Sequence, residues 1–100
     1  MIRAEFAKDM TGFTLAGHAG FADAGADIVC AAVSAMANLV CNAAEAFGAK
    51  AEVLADEAGA ALSYRLNDRC AEAETLLRAF CAELRSLEEQ YPENVRVRCR

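Results

Sequence analysis

The run IVCAAVSAMANLVCNAAEAF, residues 28–47, decides the architecture. It is bounded by Asp27, whose carboxylate suits a helix N-cap or first turn, and by Gly48, a residue that accepts the left-handed turn closing a helix. Within it Cys30, Ser34, Asn38, Cys41 and Glu45 recur at spacings of four, four, three and four, so they share one narrow stripe, and most of the remainder is apolar. A helix wetted along a stripe is sandwiched between a sheet and a second surface, and in a protein this small that surface is expected to be another subunit. The run is also long enough to make a membrane span worth weighing. Asn38, Asn42 and Glu45 interrupt it, and alanine, which gains little on transfer, supplies much of its bulk, so no membrane segment is expected.

Outward from this helix the pattern changes to period two. Ile2, Ala4 and Phe6 alternate with Arg3, Glu5 and Ala7; Asp9 to Gly12 carry turn chemistry, and Phe13 to Gly17 resume the alternation, which predicts an opening hairpin. On the other side, AKAEVLAD (49–56) and AALSYRL (60–66) flank Glu57, Ala58 and Gly59 as a second hairpin. Asn67 or Asp68 is expected to cap a second helix, in which Ala73, Leu76, Leu77, Phe80, Leu84 and Leu87 fall on one face. Pro92 ends that helix, and Val95, Val97 and Cys99 alternate with Arg96, Arg98 and Arg100 as a last strand. The predicted order is β-β-α-β-β-α-β, an α+β fold in which two helices cover a mostly antiparallel sheet. Residues 1–100 are read as one domain, since a single core serves proteins of this length.

Composition narrows the function. The protein is 56% hydrophobic and 25% charged with net charge −5, which lacks the basic footprint of a nucleic-acid binder and suits a basic peptide or protein partner. The start, MIRAEFAKDM, has no apolar signal core, and Glu5 and Asp9 argue against a transit segment, so a cytoplasmic protein is expected. Five cysteines and one histidine form no CxxC pair and no zinc spacing, so neither metal nor other cofactor is expected. Cys30 and Cys41 are separated by about 16 Å along one helix, beyond the roughly 7 Å reach of a disulfide. Cys41, Cys70, Cys81 and Cys99 are read as small buried residues of a reducing compartment.

Cys30 stands apart. It lies about three residues inside the predicted helix start, where unpaired N–H groups and the helix dipole favour an anion, and only the thiolate attacks a carbonyl. His18 is the protein's one imidazole, able to take the thiol proton and return it to a leaving amine. Gly17 precedes it, and the stretch 18–26, with Gly20, Phe21 and Gly25, is expected to be an exposed, mobile loop. The length of the intervening segment permits His18 to meet Cys30 without requiring it. Asp27 reads as the helix cap, with orientation of His18 as its other role, because a carboxylate so near a thiolate opposes its formation. Ser34, one turn beyond Cys30, either contacts the thiolate or substrate or bonds back to its own helix.

Gly17, His18 and Ala19, then Gly25, Asp27, Ile28, Val29, Cys30, Ala31, Ala32, Val33 and Ser34, closely resemble the signature of the ribosomal-processing cysteine protease family, Prp. The resemblance implies a small dimeric endopeptidase with Cys30 as nucleophile and His18 as acid/base partner. It further implies a basic substrate, the N-terminal extension of bacterial large-subunit ribosomal protein twenty-seven, cut after an aromatic residue in a sequence that continues into basic ones. The helix N-terminal amides near Cys30 would then receive the oxyanion.

Two other readings remain. One is a non-catalytic, dimeric ribosome-assembly or peptide-binding module in which Cys30 is buried and inert. The other, redox sensing or metal storage by the cysteines, lacks any chelating or resolving spacing.

Overall fold

Alternation sorts each strand between two environments, and the sorting is visible in the computed structural model, which describes residues 1–18, 20, 22, 27–56 and 60–99. The elements are β1 (Ile2–Phe6), β2 (Gly12–Ala16), α1 (Ile28–Ala46), β3 (Ala51–Asp56), β4 (Ala61–Leu66), α2 (Ala71–Gln90) and β5 (Val95–Cys99), in the expected order. They form one sheet of order β3-β4-β2-β1-β5. The β1–β2, β2–β4 and β3–β4 pairs are antiparallel, while β5 runs parallel to β1, with Ile2 opposite Val95 and Phe6 opposite Cys99. The sheet is therefore mixed but mostly antiparallel, and α2 leads the backbone across its face so that β5 lands on the far edge.

Both helices pack on the same face. Ile2, Ala4, Phe6, Phe13, Leu15, Tyr64, Leu66, Val95 and Val97 point to it and are buried, while Arg3, Thr14, Arg65, Arg96 and Arg98 lie exposed on the other face. Against them α1 buries Val29, Val33, Ala37, Val40 and Ala44, and α2 buries Ala73, Leu77, Phe80, Cys81 and Leu84. Each fully buried Phe6, Leu77 or Leu84 contributes about 1.5–3 kcal/mol of apolar transfer. The β1–β2 turn end is pinned by aromatic contacts: Phe13 stacks on Tyr64 at 5.4 Å, and Phe80 meets Phe6 and Phe13 edge-on at 5.7 and 5.2 Å. That mass of rings sits at the opposite end of the sheet from Gly17, where the side groups are smaller.

Gly48 closes α1 as expected, at φ +88° with its N–H donating to the Glu45 carbonyl at 2.9 Å. By length and composition α1 could cross a membrane, but its buried stripe builds this core. Ile28 and Leu39 of α1 and Phe47 at its C-cap are exposed, as are Val53 and Leu54 of the edge strand β3.

Two sequence expectations are corrected. The N-cap of α2 is Cys70, not Asn67 or Asp68, and its thiol makes no capping bond. Glu74 does that work from within the first turns: it accepts from the Cys70 N–H at 3.1 Å and binds Arg69 at 2.6 and 3.0 Å, which anchors the backbone at Cys70. Nor are the four remaining cysteines uniformly buried. Cys81 is buried and Cys41 and Cys70 are half-buried, but Cys99 is exposed because β5 ends there, beyond the cover that shields Val95 and Val97.

Candidate active site

Two local features bring the functional residues to one end of the sheet. The first is Gly17, just beyond β2. It adopts φ +92°, donates its N–H to the Ala60 carbonyl at 2.9 Å, and passes so close to the N-terminal strand that a Cβ would stand 2.3 Å from the Met1 carbonyl oxygen. Only glycine fits both the torsion and the gap, and the next residue, His18, is set by it. Gly17→Ala is expected to destabilise the protein by about 2 kcal/mol or more, a fall in Tm of roughly 10 °C for a domain of this size. Thermal denaturation followed by circular dichroism checks this; an unchanged Tm would contradict it.

The second feature is the start of α1. Asp27, with extended backbone (φ −81°, ψ 97°), accepts through Oδ1 from the Val29 and Cys30 N–H groups, each at 3.0 Å. Its carbonyl accepts from Ala31 at 3.1 Å. The cap reading of Asp27 is thus realised. The same bonds occupy two of the amides at this helix end, those of Val29 and Cys30, with a carboxylate. Cys30 occupies the third helical position and is half-buried.

Between α1 and this end of the sheet lies a cleft of about 390 Å³. Gly17, His18, Cys30 and Ser34 line it, facing apolar walls from Ile2, Leu15 and Leu62. The imidazole and the thiol predicted to act together therefore open onto one space. Gly20 is exposed and stands outside the cleft lining, and Phe21 and Gly25 lie outside the described residues. Asn38, Asp56 and Leu62 also line the cleft, although the sequence reading assigned them no role. Asn38 was legible as part of the polar stripe of α1. Asp56 and Leu62 arrive through long-range pairing, Leu62 opposite Leu15 and Asp56 opposite Ala61, which no local period reveals. Among the described residues no group of three His, Cys, Asp or Glu residues is placed to hold a metal ion.

The other cysteines occupy different surroundings. Burial pushes the Cys41 thiol up from its ordinary range. Burial likewise raises the Tyr64 phenol, with the Cys41 and Cys70 thiols adding to it. A thiol held protonated by desolvation alkylates slowly at neutral pH and faster as pH rises through its elevated value. Iodoacetamide at neutral pH is therefore expected to modify Cys30 and exposed Cys99 before Cys41 and Cys81, as read by peptide mass spectrometry. Equal rates at Cys41 and Cys30 would contradict this placement.

A thiol and an imidazole on a peptide-sized cleft are the parts of a cysteine hydrolase, and the family model described as Cysteine protease Prp matches residues 1–96. The chain belongs to the Prp family. No curated protein matches it significantly. Among solved structures, the essential ribosomal processing protease Prp from S. aureus in complex with a covalently linked product peptide is 28% identical, with all of both proteins covered and a TM-score of 0.94. The same S. aureus protein in complex with a substrate peptide gives 27% identity, full coverage of both and a TM-score of 0.88. SMU.848 from Streptococcus mutans is 30% identical over 99% of this protein and 93% of that one, with a TM-score of 0.86. Membership of the Prp family makes this protein a cysteine protease, with the fold predicted from its sequence.

Proposed function

We propose that this protein is a one-domain cysteine endopeptidase that removes the N-terminal extension of bacterial large-subunit ribosomal protein twenty-seven. Cys30 is the nucleophile and His18 its acid/base partner. The observation that carries the reading is that the protein's one imidazole shares the cleft with Cys30. It is joined by full-length similarity to an S. aureus ribosomal processing protease that holds a covalently linked product peptide.

His18 takes the Cys30 proton as the sulfur attacks the scissile carbonyl carbon, forming a tetrahedral intermediate. Collapse of that intermediate breaks the C–N bond, and the imidazolium gives its proton to the departing amine, leaving a thioester on Cys30. Water, deprotonated by the same imidazole, then hydrolyses the thioester and frees the carboxyl product. The helix N-terminal amides near Cys30 are the expected oxyanion donors, and two of them, those of Val29 and Cys30, also bond Asp27. Ser34, one turn along on the cleft wall, supplies a hydroxyl there. The walls formed by Ile2, Leu15 and Leu62 suit the aromatic residue before the cut, and net charge −5 suits a basic substrate.

The reading includes a cytoplasmic homodimer that uses no cofactor. Exposed Ile28 and Leu39 on α1, with Phe47 at its C-cap, are apolar surface that a second copy would cover. The test is incubation with a peptide spanning the extension and the mature start of the ribosomal protein. One new amino terminus, following an aromatic residue, is expected by mass spectrometry. An intact peptide, with Cys30 labelled only after unfolding, would favour the non-catalytic peptide-binding module instead.

A further inference from the structure

Polar residues on α1 are few, and three of them, Cys30, Ser34 and Asn38, line the same cleft. Further along the stripe, Cys41 and Glu45 line a separate depression with Lys50, Val53 and Tyr64, so the cleft's share of the stripe ends at Asn38. The same lining includes the apolar Val33, Ala37 and Leu62. The other polar group beyond Ser34 in the described lining belongs to Asp56, which is paired with Ala61 on the alternate side of its strand from Ala55 and Leu62.

An extended peptide entering such a cleft brings one N–H and one C=O per residue, and these lose water against apolar walls unless they find partners. A primary amide offers both halves of the match: its oxygen accepts from a backbone N–H while its NH2 donates to a backbone carbonyl. Asn38 is the carboxamide among the cleft's described lining residues. Its position along the substrate follows from helix and strand geometry. Eight residues of α-helix separate it from Cys30, about 12 Å at 1.5 Å per residue. An extended peptide advances roughly 3.3 Å per residue, so that distance corresponds to between three and four substrate residues.

We propose that Asn38 binds the backbone of the peptide substrate three to four residues from the scissile bond, on the arm that lies along α1. This rests on the proteolytic reading above and adds to it a subsite selecting peptide length, not residue identity. Asn38 is exposed and helical, and alanine is the better helix former, so its removal costs the fold nothing.

The test uses the wild-type protein and Asn38→Ala with three peptides: one extending five residues on both sides of the cut, and two shortened to two residues on one side or the other. For the wild type, one of the two truncations is expected to lower kcat/KM by about 10-fold, chiefly through KM. For Asn38→Ala, the long peptide is expected to fall by a similar factor, that same truncation to cost nothing more, and Tm to hold or rise. The proposal is overturned if Asn38→Ala matches the wild type on the long peptide, or if its deficit persists undiminished on both short ones. A wild-type protein that cuts none of the three overturns the proteolytic reading and this proposal with it, an outcome distinct from cleavage that ignores Asn38.

Discussion

Cys30→Ala is expected to lower kcat/KM for peptide cleavage by about 10⁴-fold or more with the fold intact, the scale seen when a covalent nucleophile is removed. The thiol makes the bond to the substrate, and nothing else in the described cleft lining replaces it: Ser34 is a hydroxyl without the acidity of a thiol, and the other four cysteines lie away from this lining. Stability should barely move. Cys30 is only half-buried, its Cβ survives the change, and alanine is favoured inside a helix. Steady-state cleavage of the ribosomal-protein peptide and thermal denaturation measure the two effects separately. Activity near wild type would place the nucleophile on another residue.

His18→Ala is expected to lower kcat by roughly 10²- to 10⁴-fold, the usual contribution of a general acid–base group. His18 is exposed and is not among the described core residues, so Tm should change little. The protein has no second histidine to take over, and a small base diffusing into an open cleft is the remaining substitute. Added imidazole is therefore expected to restore part of the activity of His18→Ala and none of that of Cys30→Ala. Rescue separates a missing proton carrier from a distorted site. A His18→Ala protein with full activity would remove the imidazole from the chemistry.

The start and end of α1 were legible before the fold was, and for a physical reason. An N-cap aspartate, a helix of strong apolar periodicity and a cysteine three residues inside it are all local signals, and Asp27, α1 and Gly48 lie where those signals place them. Strand alternation was equally local, so the buried set Ile2, Ala4, Phe6, Phe13, Leu15, Val95 and Val97 followed from it. Alternation tells which face a residue takes but not which strand lies beside it. The parallel seating of β5 against β1 and the wall that Leu62 adds to the cleft depend on packing across the whole sheet.

The second helix cap was missed because Asn67 and Asp68 have good capping groups, whereas Glu74 reaches back from inside the helix and binds Arg69 as well. Strand β3 lies at the sheet edge, and Val53 and Leu54, which point to alternate faces of the strand, are both exposed.

The most direct test of the account is intact-protein mass spectrometry of the wild type, acid-quenched during turnover of the ribosomal-protein peptide. The predicted species has the mass of the enzyme plus the amino-terminal fragment less one water, with the fragment mapped to the sulfur of Cys30 and absent from Cys30→Ala. An acyl group mapped to any other residue, or continued cleavage by Cys30→Ala with no adduct formed, would contradict it.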